Sequence, residues 1–391
     1  LSAQGVVEGY PDGTFKGERN MTRYELAQII ARLMAKEDQL NAEQQATLDK
    51  LAGEYADELA NLGVRVSNLE KKVGNLYWSG DARMRYTASS LKDKKDAYDG
   101  RIRLNVKGQV NEATYVQGQF VNNMNFKDEA SSDTTMAQIY VNHNFNKNVA
   151  VRLGRQPIVF GNQGGWQYNG LEGYDGAQAS YNNGKLSLTT GFGQLNASDW
   201  GDEKTDAGVV TSYGVTGTDM YFAKGAYDFG FAKLGADYVK FQGDTNSADH
   251  YFAGQELYGI NLTIPVQKFN VFGEYWKNTT IGDYDTAWNA GLSYGKADWK
   301  KAGTWGLSVA YNDVDYGAYF GGGTWHNDML KNLNNSKYIE ADNLTFWTAI
   351  ANVTLQKNVQ LHAEYAFGAD AEGTEGVDPD DSWTVSLNYK F

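Results

Sequence analysis

The chain has 391 residues with 10 Trp, 26 Tyr, 17 Phe, 44 Gly and 4 Pro, no cysteine, and a formal net charge of −13. The absence of cysteine excludes thiol catalysis, thiolate metal sites and disulfides, and the acidic balance argues against a nucleic-acid partner. Mean hydropathy is −0.55, and no stretch approaches 18 consecutive apolar residues. A spanning helix is therefore excluded, whereas a spanning β-barrel, which shows lipid only every second side chain, is not.

Residues 1–36 form the first segment. Tyr10-Pro11-Asp12-Gly13 has the composition of a β-turn. A helix then opens at Thr22, with Glu25 three residues on as a capping box and Met21 and Leu26 at the staple positions. Ile29, Ile30 and Leu33 continue one apolar face. The string Gly5 to Phe15, followed by Met21-Thr22-Arg23-Tyr24-Glu25 and Ala27, resembles the second half of an S-layer homology (SLH) domain, with Tyr24 where the family's Thr-Arg-Ala-Glu signature has Ala. The family's first helix and an export signal are expected to precede Leu1. The resemblance implies a helical module that binds cell-wall polymers, with Arg23 as the wall-polymer ligand and Gly9, Tyr10 and Asp12 in the adjacent turn.

Residues 37–76 are rich in Ala, Leu, Glu, Gln and Lys. Leu59, Leu62, Val66, Leu69, Val73 and Leu76 recur at alternating spacings of three and four, the seam of a coiled coil. Leu48, Leu51 and Tyr55 keep the spacing in another phase, so a stutter is expected near Tyr55–Leu59. A helix of about 37 residues would make a stalk of roughly 55 Å. The alternative is one amphipathic helix lying on another domain. Val at a and Leu at d lean towards two strands.

From Tyr77 to Phe391 the hydrophobic period is two. Sixteen strands are expected, at 77–87, 100–111, 113–123, 134–145, 148–157, 173–182, 185–195, 217–227, 229–242, 251–264, 267–279, 284–298, 302–313, 342–355, 358–370 and 382–391. Short connectors such as Asn146-Lys147 and Gln356-Lys357 alternate with long ones such as 158–172, 196–216 and 314–341. An even strand number with short turns at one end and long loops at the other is the pattern of bacterial outer-membrane barrels. The last strand alternates Trp383, Val385, Leu387, Tyr389 and Phe391 with polar residues, and its aromatic end resembles the assembly signal of those proteins.

Strand parity assigns the faces. Ala82, Met84, Tyr86, Ile102, Leu104, Val106 and Val110 point one way; Asp81, Arg83, Arg85, Arg101, Arg103, Asn105 and Lys107 point the other. An Arg or Lys facing hydrocarbon at mid-membrane costs on the order of 2–4 kcal/mol, so the charged phase must line a polar lumen. Trp78, Phe145, Tyr181, Phe269, Trp299 and Phe391 are candidates for an interfacial girdle. The Gly-rich stretch Ile158–Glu172, after Gly154-Arg155-Gln156-Pro157, resembles the constricting third loop of general porins. That resemblance implies an inward fold with Glu172 and Asp175 facing a basic wall of Arg83, Arg85, Arg101, Arg103 and Arg152. Parity leaves the side of Arg155 open.

His143, His250, His326 and His362 show no ligand spacing, and no phosphate loop or nucleophile elbow occurs. No cofactor, resident metal or enzymatic activity is expected. The acidic connectors 198–206 and 370–381 read as solvated loops, with Ca²⁺ or Mg²⁺ bridging anionic lipid as the alternative. The order of segments, an SLH module over 1–36, a coiled-coil stalk over 37–76 and a sixteen-stranded antiparallel transmembrane barrel over 77–391, resembles the OmpM-type porins of diderm Firmicutes. This implies a homotrimer in the outer membrane, in contact with outer-membrane lipids and lipopolysaccharide. The barrel would pass small hydrophilic solutes, and the periplasmic stalk would tether the membrane to peptidoglycan carrying polyamines. A plugged barrel serving only as an envelope anchor is the competing expectation.

Overall fold

A computed structural model of the chain describes residues 22–34, 42–61, 74–90, 95–127, 130–131, 134–161, 165–195, 204–206, 209–212, 218–243, 254–320, 328–333, 341–373 and 378–391. The chain divides into two units, Leu1–Asn75 and Leu76–Phe391.

In the first unit, α1 (Arg23–Met34) starts at the expected capping box. Thr22 N donates to Glu25 Oε2 at 2.9 Å, and Glu25 N donates to Thr22 Oγ1 at 3.2 Å. The apolar face of α1 buries Ala27, Ile30 and Leu33. α2 (Ala42–Glu54) supplies Leu48 to this small core, with Leu51, Tyr55 and Leu59 packed against it. A turn interrupts the helix at Tyr55, where the sequence changes phase. The division at 75/76 falls beside the expected limit at 76/77, and within the first unit the early part of the expected stalk packs on α1, because those apolar side chains have a local partner. Leu62, Val66, Leu69 and Val73 of the heptad seam lie outside the described residues.

The second unit has sixteen long strands: β1 (Leu76–Ala88), β2 (Ala97–Asn111), β3 (Thr114–Asn125), β4 (Thr135–Asn144), β5 (Val149–Phe160), β6 (Tyr168–Asn182), β7 (Leu186–Leu195), β8 (Asp219–Asp228), β9 (Lys233–Phe241), β10 (Glu256–Val266), β11 (Phe269–Asn278), β12 (Thr286–Gly295), β13 (Trp305–Asp315), β14 (Asn343–Gln356), β15 (Val359–Glu372) and β16 (Ser382–Lys390). Each pairs antiparallel with its sequence neighbours. β1 also pairs with β16 from Asp81↔Lys390 to Ala88↔Trp383, which closes the barrel and leaves no edge. A terminal clasp extends this seam. Phe391 N donates to Gly80 O at 3.0 Å, Gly80 N donates to Phe391 O at 2.8 Å, and a Cβ on Gly80 would fall 2.5 Å from the Phe391 ring. The expected strand count holds, and so does the alternation of connectors except around β12, where the short-end connector 296–304 has nine residues and the long-end connector 279–285 seven. The largest boundary errors are at β6, which begins five residues earlier than expected, and at β10, which begins five residues later.

The outward phase is apolar, with Met84, Ile102, Leu104, Ile139, Val141, Leu153, Ile260 and Leu292 all exposed. The inward phase is polar on β1 to β5 and on β16. From β8 to β15 it becomes apolar towards the long-loop end, where Phe222, Phe241, Trp276 and Phe346 are buried inside the barrel. The space between them is filled by Phe160 and Tyr168 at the facing ends of β5 and β6, by Trp166 in the connection between those strands, and by Tyr319 and Phe320 from the connection after β13. Phe320 is central, with ring centroids 5.6 Å from Phe160, 5.6 Å from Tyr168, 5.4 Å from Phe241 and 6.0 Å from Trp276.

Candidate functional site

Four arginines and two aspartates form a ladder on the inner face of β1 and β2. The register sets Asp81 opposite Arg103, Arg83 opposite Arg101 and Arg85 opposite Asp99. Arg103 Nε lies 2.9 and 2.8 Å from the two Asp81 oxygens, and Arg101 Nη2 is 3.6 Å from Asp81 Oδ1. At the other end Arg85 Nε donates to Asp99 Oδ2 at 2.8 Å and Arg83 Nη2 to Asp99 Oδ1 at 3.3 Å. Each carboxylate thus serves two guanidiniums, leaving an excess of two positive charges. The like-charged rung Arg83–Arg101, unfavourable by itself, sits between the two aspartates. Among the described residues, Nε of both these arginines is buried without a hydrogen-bond partner.

The basic surface continues around the wall. Lys107 Nζ lies 4.4 Å from the centroid of the Tyr115 ring, and the Arg152 guanidinium 5.0 Å from that of Tyr140. Arg152 Nε donates to Asn142 Oδ1 at 3.2 Å. Gln119 and Gln138 complete a hydrogen-bonded inner surface, with Gln119 Nε2 donating to Asn105 Oδ1 at 2.7 Å.

The β5–β6 connection folds inward, as its resemblance to the third loop of porins implied. Gly173, at φ +55°, allows this path, since a Cβ there would meet the Gln156 carbonyl oxygen at 1.8 Å. Polar groups of the far wall hold the start of the loop. Lys224 Nζ donates to the Val159 carbonyl and lies 5.3 Å from the Phe160 ring centroid, while Gly161 N donates to Asp237 Oδ2 at 3.1 Å. Gln167 Nε2 donates to Ala318 O at 2.6 Å and so ties this loop to the one after β13. The latter reaches the end of β1, where Asp328 accepts from Ser89 Oγ at 2.7 Å and from Ser90 N at 2.9 Å.

Of the residues expected in the pore, Arg83, Arg85, Arg101, Arg103, Lys107 and Arg152 are all on the inward face. Asp175 is not. It pairs with Arg155 on the outward face, where Arg155 Nε and Nη2 each donate to it at 2.8 Å. The parity that sends Tyr181 to the girdle sends Asp175 outside as well, and the basic wall takes its acidic partners from its own strands. The side chain of Glu172 lies outside the described residues. His362 also lines the lumen, with Nδ1 2.8 Å from Asn352 Oδ1 and Nε2 2.8 Å from Glu364 Oε1. His143 lies on the outward face beside Thr114. His250 and His326 lie outside the described residues.

In the N-terminal unit, Gly9, Tyr10 and Asp12 also lie outside the described residues. Arg23 is engaged within the unit. Its Nε and Nη2 donate to the Glu58 carboxylate and Nη2 to Glu54 O at 3.2 Å, and the guanidinium lies 4.6 Å from the Tyr55 ring centroid. The hydrogen bond from Arg23 lowers the Glu58 pKa below its ordinary value, and the same bond raises that of Arg23. In the acidic connector 370–381, Asp378 and Asp381 accept backbone N–H bonds from Ala371 and Gly368.

Comparison with known proteins fits both units. The S-layer homology domain model matches residues 1–27. Outer membrane protein SlpA of Deinococcus radiodurans is 49% identical over 79 residues, covering 18% of this chain and 6% of that protein. Outer membrane protein alpha of Thermotoga maritima is 40% identical over 76 residues, covering 19% of this chain and 18% of that protein. The chain thus spans less than a fifth of the length of these relatives. A mutant of the porin of Rhodopseudomonas blastica superimposes with a TM-score of 0.52 at 12% identity, covering 81% of this chain and 100% of that one, which shows the fold.

Together these define an outer-membrane β-barrel protein of porin architecture with S-layer homology sequence at its N-terminus, on the periplasmic side. Within that class the chain is consistent with the OmpM-type porins that its order of segments resembles.

Proposed function

We propose that the barrel is a diffusion channel for small hydrophilic solutes and ions, with anions favoured along the β1–β2 wall, and that the N-terminal unit tethers the outer membrane to peptidoglycan. The observation that carries the channel reading is the ladder, an inward surface with more guanidinium than carboxylate and a like-charged rung at its centre. A protein sealed by packing has no use for such a surface, whereas water and passing anions satisfy it. No residue constellation for bond-breaking chemistry accompanies it among the described residues.

Assembly into a homotrimer draws support from the outer face. Every strand from β7 to β16 turns an aromatic residue outward, such as Phe192, Tyr221, Tyr258, Trp288, Trp347 and Trp383, whereas β4 and β5 turn none. Apart from Phe145, one residue beyond β4, this wall offers no such ring among the described residues, which suits contact with another copy better than contact with lipid headgroups. Peptidoglycan, in particular polyamine-bearing peptidoglycan, is the proposed partner of the SLH segment through Arg23 and the turn Gly9, Tyr10 and Asp12. Lipopolysaccharide is the proposed partner of the long-loop end.

Planar-bilayer conductance with co-sedimentation on purified wall sacculi tests the two halves separately. The reading expects both, and expects Arg23→Ala to weaken sedimentation with conductance intact. One observation favours the rival, a closed anchor: the aromatic cluster of Phe160, Phe320 and Trp276 occupies the long-loop half of the lumen. Wall binding without conductance would establish that rival.

A further inference from the structure

The two ends of the barrel treat their lysines differently. Towards the long loops, Lys240 Nζ pairs with Glu256 and Lys277 Nζ with Asp285, each at 2.5 Å, and Lys127 Nζ donates to Asp96 O at 2.6 Å. At the short-turn end, Lys147, Lys185, Lys268, Lys300, Lys301 and Lys357 are all exposed. Among the described residues none of these six side chains has an ion pair or a hydrogen bond. Few acids share this end: Asp228 Oδ1 accepts from Gly230 N at 2.7 Å and Asp298 Oδ1 from Lys300 N at 2.9 Å, while the exposed Glu112 lines one pocket with Lys147 and offsets part of its charge. A chain of net charge −13 therefore ends, on its periplasmic side, in a basic rim.

The rim also has aromatic neighbours. Phe145 is 64% exposed two residues from Lys147, Phe269 is 49% exposed next to Lys268, and Phe231 is 73% exposed in the β8–β9 turn. Aromatic rings at this depth mark the headgroup region of a bilayer. Lysines just beyond them extend their ammonium groups to the same layer, where each gains from a negative surface potential. We propose that this rim is a docking surface for the headgroups of anionic phospholipids in the periplasmic leaflet. A soluble polyanion would be met by the lysines alone. The shared depth of lysines and exposed rings fits a lipid, which offers both a phosphate and an interface.

The test uses the full chain in phosphatidylcholine vesicles containing trace spin-labelled phosphatidylglycerol or phosphatidylcholine, reading the motionally restricted fraction by electron spin resonance. The native protein is expected to restrict phosphatidylglycerol several-fold more strongly than phosphatidylcholine. Replacing the six lysines by Gln should equalise the two lipids, replacing them by Arg should keep the preference, and Lys240→Gln with Lys277→Gln should keep it too. Heat-modifiable gel mobility checks that each barrel is folded. Should the sixfold Gln variant fail to fold, Lys300→Gln with Lys301→Gln is expected to show a partial loss. No preference in the native protein, or a preference unchanged in the Gln variants, would overturn the proposal. So would loss of sedimentation on wall sacculi with lipid preference intact, which would assign the rim to the wall polymer. Conductance should be unchanged in all of these variants, so this proposal and the channel reading fail on different measurements.

Discussion

The two sides of the lumen follow the same alternation and use it oppositely. On β1 and β2 the inward positions are Asp81, Arg83, Arg85, Asp99, Arg101 and Arg103, locked in cross-strand ion pairs. On β8 to β15 the inward positions near the long loops include Phe222, Phe241, Trp276 and Phe346, covered by two loops. One wall needs water beside it; the other has excluded it. The difference teaches that a large barrel is not uniformly wet. Its channel is the part of the cross-section left after loops find an apolar seat, and the seat itself decides on which side the channel runs.

The contrast breaks most severely if the apolar seat is emptied. Phe320→Ala removes the ring common to both loops, and deleting such a buried side chain costs about 3–5 kcal/mol locally. The loops should loosen without loss of the barrel, raising single-channel conductance several-fold with added flicker. Unchanged conductance would mean that the loops are held elsewhere. Next in size is the removal of the like-charged rung. Arg83→Gln with Arg101→Gln leaves one arginine for each aspartate, so the ladder's charge excess vanishes, and the reversal potential in a KCl gradient should move to near-equal permeability. Asp99→Asn goes the other way by one charge and should give a smaller shift towards anions.

Much of this architecture was legible in the strand pattern. Closed alternation, turn residues such as Asn183-Gly184, and a final strand from Trp383 to Phe391 fixed sixteen strands and two faces, because a one-residue slip would have put Arg101 and Arg103 in lipid. The aromatic seat was not recognised, although its trace was present: Met220, Phe222, Val239 and Phe241 are apolar in the phase that elsewhere is polar. What they pack against lies far off in sequence, with Phe160 62 residues from Phe222 and Phe320 79 from Phe241, which a local pattern does not encode. The partners of the arginines were missed for a simpler reason. Asp81 stood in the same inward phase, Asp99 fell one residue before the expected strand 100–111 that in fact starts at Ala97, and cross-strand pairing at short range outcompetes a distant loop. Asp175 shows the converse, since its own parity with Tyr181 already placed it outside.

Two smaller effects sharpen the account. Arg155→Met with Asp175→Leu removes an outward, half-exposed ion pair, contributing at most about 1 kcal/mol. Reversal potential should not change, and a shift would show that the pair senses the pore. In the N-terminal unit, the Glu58 pKa is lowered by Arg23, so the pair stabilises the fold above the ordinary glutamate range and loses that contribution as pH falls through the lowered value. Acid titration of helical circular dichroism in native protein and in Glu58→Gln should therefore differ above that range and converge below it. Parallel titrations would remove the pair from the account.

The central claim, that an open path follows the charged wall, meets its most direct test in the reversal potential of the purified protein in a planar bilayer across a KCl gradient. The account predicts steady conductance with chloride favoured over potassium, and loss of that preference in the Arg83→Gln, Arg101→Gln variant. A sealed bilayer, or a current whose selectivity is indifferent to those two arginines, would contradict it.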